Sequence, residues 1–170
     1  MHLESLGDYH LQRLLGTGAF GDVYLAEHRF IKKPYALKVL PETVCSDAAF
    51  LRRLEEDVHS IALLDHPNIV KIHNVTCAEG RYFLVMDPIV DSLGETMHLD
   101  RYLSLKGRSL TEGDYISILQ QVASALDYAH EKGVIHGGMK LSNILQNGFV
   151  LMSIIFSFDH LKRCRFGNRL

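Results

Sequence analysis

The sequence predicts an α+β chain: a strand-rich front half carrying one helix, then a helical back half from about residue 91. Three observations carry this. Val23 and Leu25 alternate with Tyr24 and Ala26, the two-residue period of a strand, and Tyr35–Leu40 repeats that pattern. Phe50, Leu54, Val58, Ile61 and Leu64 recur at four- and three-residue steps, the period of a helix with one apolar stripe. Tyr115, Ile118, Leu119, Val122, Leu126 and Ala129 give a second and longer helical stripe in the back half.

Taken in order, Tyr9–Leu15 and Val23–Glu27 read as strands flanking a glycine-rich turn, so the first unit is a hairpin. Pro34 opens the next strand, Tyr35–Leu40, in which Lys38 shares a face with Ala36, opposite Leu37 and Val39. The helix Ser46–Leu64 follows. Pro67, in His66-Pro67-Asn68, ends it by lacking an N–H and by restraining its predecessor. Two more strands are expected, Ile69–Val75 and Tyr82–Met86, joined through Glu79-Gly80-Arg81. Asp91–Thr96 reads as a loop and Leu99–Leu105 as a short helix. Thr111 opens the long helix with the order T-E-G-D, a form of capping box, and Gly133 stands where a helix C-terminal glycine belongs.

A chain of 170 residues holds one ordinary domain or two small lobes sharing a cleft. The formal net charge of −2 gives no strong field for nucleic acid or an anionic membrane, so neither partner is expected. The three cysteines, Cys45, Cys77 and Cys164, are far apart and form no C-x-x-C pair, which favours a reducing, cytoplasmic setting. The longest nearly apolar run, Phe149–Phe158, is about half of a bilayer span. None of the ten histidines has metal-ligand spacing.

The stretch with chemical content is Leu15–Lys38. Gly16, Gly18 and Gly21 have the spacing G-x-G-x-x-G, and Val23 follows two residues later. Glycines so spaced let backbone N–H groups approach phosphate oxygens without Cβ interference, and Lys38 would add a point charge. No helix is signalled after Gly21, which argues against a dinucleotide fingerprint.

Together LGTGAFGDVY, YALK, the helix ahead of HPNIVKI, YFLVMDPI and LDYAHEKGVIHGGMKLSNIL resemble the eukaryotic-like (Hanks-type) serine/threonine protein kinase domain, of the bacterial kind and truncated after the catalytic loop. The resemblance covers residues 9–150. It implies a protein-kinase-like fold: a small antiparallel-sheet N-lobe with one helix over residues 9–90, a partial helical C-lobe over 91–150, and a divergent tail over 151–170. It implies ATP bound by Leu15, Gly16, Thr17, Gly18, Ala19, Phe20, Gly21, Asp22, Val23, Ala36 and Lys38. Met86 would be the gatekeeper and residues 87–89 the hinge, the Asp87 carbonyl and Ile89 N–H bonding adenine. The partner of Lys38 is a glutamate in the family. Counting back from Pro67 gives Asp57, one methylene shorter, whereas Glu56 would need a helix rotation of about 100°. A solvated acidic face is the alternative for Glu55, Glu56 and Asp57.

The resemblance breaks at the catalytic loop. The family reads H-R-D-x-K-x-x-N, and this chain reads His136-Gly137-Gly138-Met139-Lys140-Leu141-Ser142-Asn143. Lys140 and Asn143 are retained, but the proton acceptor is Gly138. Ile154-Ile155-Phe156 occupies the slot of the Mg²⁺-binding D-F-G, and Asp159 lies five positions late. Asn143 alone is a weak metal ligand, so Mg²⁺ is doubtful. A reading-frame change near residue 150 would account for the lost motif and the tail.

Three functions stand side by side. One is Ser/Thr phosphotransfer from ATP to a protein substrate, impaired at Gly138. The second is a non-catalytic ATP-binding pseudokinase acting through contacts with a partner or scaffold protein. The third is a truncated kinase fragment without function.

Overall fold

The computed structural model describes residues 4–18, 21–42, 48–106, 109–147 and 151–154. Two compact units share the chain: residues 1–62 with 71–88, and residues 63–70 with 89–170.

The first unit is a six-stranded antiparallel sheet in the order β1-β2-β3-β4-β6-β5 with one helix. Its strands are β1 (Ser5–Leu6), β2 (Tyr9–Gly18), β3 (Gly21–His28), β4 (Pro34–Val39), β5 (Ile72–Ala78) and β6 (Arg81–Met86). The helix is α1 (Ala48–Ala62). One sheet face buries Leu6, Ala26, Leu37, Val39, Phe83 and Val85. Ala36 and Lys38 therefore project to the other face, because strand side chains alternate. α1 packs against β5 and buries Leu54, Val58 and Ile61.

Several boundaries differ from the sequence reading. β2 and β3 run into the glycine segment, so pairing continues to Gly18 opposite Gly21. β5 starts at Ile72 rather than Ile69, because residues 66–69 close a turn: Ile69 N–H donates to the His66 carbonyl and Asn68 N–H to His66 Nδ1. The β5–β6 connection is the two-residue Glu79-Gly80, both at positive φ (54° and 73°), with Arg81 already paired to Ala78. Two left-handed residues match the strand twist of a hairpin. α1 ends before Leu63, leaving Leu64 buried but outside the helix.

The second unit holds α2 (Leu99–Lys106), α3 (Glu112–Glu131) and a three-stranded antiparallel sheet, β7 (Met97–His98), β8 (Ile144–Asn147) and β9 (Leu151–Ile154), with β8 central. β7 falls between the expected loop Asp91–Thr96 and the expected helix Leu99–Leu105, where two residues are too short to show a period. Leu99, Ile118 and Ile144 form the core, with Tyr102, Leu103, Leu110 and Val122 against it. Thr111 caps α3 by a reciprocal box: the Asp114 N–H donates to Thr111 Oγ1, and the Asp114 carboxylate accepts from the Thr111 N–H. At the other end Gly133 sits at φ +74°. Its N–H bonds the His130 carbonyl and that of Val134 the Ala129 carbonyl, the paired pattern of a Schellman stop.

The stripe on α3 is rotated from the one expected. Ile118, Ala125 and Ala129 are buried, whereas Leu119 is 66% exposed and Tyr115 40%. Among the described residues no helix is long and apolar enough to cross a membrane.

Candidate nucleotide site and catalytic-loop turn

In the first unit, strand register brings the candidate phosphate-binding residues into one row. Gly16 is opposite Val23, Val23 opposite Lys38, and Lys38 opposite Leu84. The next row on that face runs Leu25, Ala36, Met86. Val23, Ala36, Lys38 and Met86 thus share one face, although they are up to 63 positions apart in the chain. Leu15 is the extra residue of a register shift between Leu14 and Gly16, which turns the strand at the mouth of the glycine segment. Ala19 and Phe20 lie outside the described residues.

The glycines differ in what requires them. Gly21 has φ +105°, and a Cβ there would meet the Val39 carbonyl oxygen at 1.7 Å. The fold itself demands glycine at that position. Gly16 has nothing within 4 Å of the Cβ position, and Gly18 meets only the Gly21 carbonyl oxygen at 3.7 Å. No neighbour excludes a side chain at Gly16, so the open space suits an oxygen-rich ligand lying against the backbone. The residues present fit a nucleotide phosphate. On the opposite sheet face Tyr24, paired with Leu37, carries a phenol pushed up by burial and by the Asp22 carboxylate, so it stays neutral.

Asp57 is half-buried on α1, while Glu55 and Glu56 are exposed. Lys38, half-buried on β4, belongs to the same unit. At the end of β6, the Asp87 N–H donates to the Lys71 carbonyl at 3.0 Å, and Asp87 Oδ1 accepts from His73 Nε2 at 2.7 Å. Sequence reading missed His73, since its placement depends on a register shift between β5 and β6 that no local pattern announces.

Within the second unit, the Ile89 carbonyl accepts from Thr96 Oγ1 at 3.2 Å, and His136–Asn143 forms a turn of its own. His136 is buried, at 2% exposure. The Gly138 N–H donates to His136 Nδ1 at 3.2 Å, which makes that nitrogen the acceptor of the ring. Gly137 turns the chain at φ +68°. Asn143 Nδ2 donates to the Gly138 carbonyl at 2.8 Å, closing the turn across five residues. His98, also unforeseen, donates from Nδ1 to the Ser142 carbonyl at 2.8 Å and ties β7 to the turn. The turn is braced at both ends, yet position 138 presents only backbone.

For a divalent cation the fit is poor. Asn143 spends its amide nitrogen on Gly138 and has only its neutral Oδ1 for a metal. Among the described residues no three His, Cys, Asp or Glu side chains converge. Asp159 and the slot 155–156 lie outside the described residues.

A curled antiparallel sheet with a glycine–lysine row, and a braced His-Gly-Gly-Met-Lys-Leu-Ser-Asn turn, define a protein-kinase-like protein. The comparisons agree: the protein kinase domain family model matches residues 9–165. The chain belongs to that family. It is 40% identical over 142 residues to serine/threonine-protein kinase pkn1 of Chlamydia caviae, covering 84% of this chain and 22% of that one. It is 33% identical over 139 residues to serine/threonine-protein kinase PrkC of Bacillus subtilis, covering 82% and 20%. The chain spans about a fifth of the length of these curated relatives. The solved kinase domain of PknI from Mycobacterium tuberculosis matches with a TM-score of 0.75 at 28% identity, covering 92% of this chain and 62% of that one.

Proposed function

We propose that this chain binds ATP through Leu15–Lys38 and the hinge residues Asp87 and Ile89, with Ser/Thr phosphoryl transfer impaired at Gly138. The observation that carries the binding is the row Gly16–Val23–Lys38, together with the open Cβ position at Gly16. Lys38 would hold the α/β-phosphates and Asp57 would orient Lys38; Val23, Ala36 and Met86 would pack on adenine. ATP supplies the phosphoryl group, and another protein, as substrate or scaffold, is the partner that goes with this reading.

What supports impairment is chemical. Glycine at 138 cannot accept the hydroxyl proton, and general-base catalysis is worth roughly 10² to 10⁴ in rate. No step is assigned to Mg²⁺, because Asn143 alone does not make a site for it.

Thermal unfolding of the full chain with ATP, with and without Mg²⁺, tests this. A stabilisation that needs no Mg²⁺ and vanishes in Lys38→Ala is expected, with phosphate incorporation into a generic acceptor at or near background. An absent shift would overturn binding; rapid Lys38-dependent incorporation would overturn impairment.

A further inference from the structure

β5 and β6 fall out of step at one point. Ile72 is opposite Met86 and Asn74 opposite Val85, so His73 is the extra residue of a bulge. A bulge re-aims a side chain that regular alternation would have sent elsewhere. Here the imidazole reaches past the end of β6 to Asp87, with Nε2 at 2.7 Å from Oδ1. A carboxylate oxygen accepts, so Nε2 carries the proton. The ring is held edge-on to Tyr35 on β4, with centroids 5.5 Å apart, and the Lys33 ammonium lies 5.2 Å from the centre of the same Tyr35 ring.

Asp87 is thereby tied twice, by its side chain to His73 in β5 and by its N–H to the carbonyl of Lys71, the residue before β5. The next residue is Pro88, which confines Asp87 to extended backbone. With its N–H and side chain both held and its ψ biased to the extended region, the Asp87 carbonyl has a narrowed range of directions. That carbonyl is the acceptor assigned above to the base of the nucleotide. Adenine offers it an amino donor at C6, whereas guanine offers an oxygen acceptor there. A carbonyl free to turn away tolerates both bases; a restrained one sets two acceptors against each other with guanine.

We propose that His73 is a positioning residue: through the bulge in β5 it restrains the Asp87 carbonyl and sets the choice of adenine over guanine nucleotides. The proposal rests on the ATP-binding reading. His73 and Asp87 side chains are 33% and 42% exposed, so the contact has the strength of a partly solvated pair.

The test is competition of ATP and GTP against a fluorescent ATP analogue on the full chain, with melting curves taken without nucleotide. His73→Ala should lower the ATP-to-GTP affinity ratio about two- to fivefold. Asp87→Ala should lower it equally, and the double variant no further. His73→Gln, which keeps a side-chain N–H donor, should restore most of the ratio. An unchanged ratio in both alanine variants overturns the proposal, as does equal loss in His73→Gln and His73→Ala. A lowered melting midpoint with an unchanged ratio assigns the pair a structural role and overturns it too. Wild-type binding no tighter than that of Lys38→Ala overturns the ATP-binding reading, and this proposal with it; normal ATP binding with an insensitive ratio overturns this proposal alone.

Discussion

Gly21 lies so close to Val39 that a Cβ on it would come within 1.7 Å of the Val39 carbonyl oxygen, while the same atom on Gly16 would meet nothing within 4 Å. Two glycines of one motif therefore answer to different demands. Gly21→Ala should destabilise the chain by about 2–3 kcal/mol, through the positive φ and the forced shift of β4. Gly16→Ala should leave stability within about 0.5 kcal/mol. It should nevertheless weaken ATP binding by about tenfold, the equivalent of about 1.4 kcal/mol. Urea unfolding and ATP titration of the two variants separate the effects. Early unfolding of Gly16→Ala would show that the fold needs both.

Positions 137 and 138 should respond differently to restoring the family residues. Gly137 turns the chain at φ +68°, where a side chain is strained, so Gly137→Arg is expected to cost about 1–2 kcal/mol. Gly138 is not among the positive-φ glycines, and its contacts to His136 and Asn143 use only backbone atoms. Gly138→Asp should therefore fold like the parent. If the missing base is what limits transfer, it should raise phosphate incorporation by roughly 10²-fold or more. A well-folded Gly138→Asp chain with no gain would move the deficit to the cation site.

How much of this was legible in the sequence depends on the range of the signal. The glycine spacing, the alternation around Lys38 and the capping order at Thr111 are local, and the structure has a hairpin, a strand and a capped helix there. Lys38 and Ala36 could be put on one face because a strand has a fixed period. His73 could not be found: its role arises where two strands slip by one residue, and no window around His73 contains Asp87. β7 was missed because two residues have no period. The α3 stripe was rotated because Tyr115 and Leu119 fit the helical step as well as Ala125 does, and burial was decided by distant partners, Leu99 and Ile144 around Ile118.

The cap of α3 gives a pH dependence. The Thr111 backbone N–H, and then its hydroxyl, hold the Asp114 carboxyl below its ordinary value. A depressed carboxyl stabilises the folded state above the unfolded-state value, and that contribution disappears as pH falls through the folded value. Helicity near Thr111 should therefore decline on acidification below about pH 4, where a free aspartate begins to protonate. Asp114→Asn should flatten this segment of the acid profile, and Thr111→Ala should cost about 1 kcal/mol at neutral pH. Hydrogen exchange of the first α3 amides across pH 2.5–6, corrected for intrinsic rates, checks it. An acid profile unchanged in Asp114→Asn would refute the assignment.

Neighbouring residues on α3 should behave oppositely. Ile118 is 6% exposed and packs with Leu99 and Ile144, so Ile118→Ala removes core contacts and should cost about 2–4 kcal/mol. Leu119, one residue on, stands on an exposed ridge with Tyr115 and Ile116. Contiguous apolar surface of this kind promotes association. Glutamate matches leucine closely in helix propensity, so Leu119→Glu should shift stability by no more than about 0.5 kcal/mol. It should also raise the monomeric fraction of the purified chain. Light scattering at increasing concentration, paired with urea unfolding, distinguishes the two positions. A Leu119→Glu chain that unfolds as early as Ile118→Ala would place Leu119 in the core and return the stripe to the one its sequence period suggests.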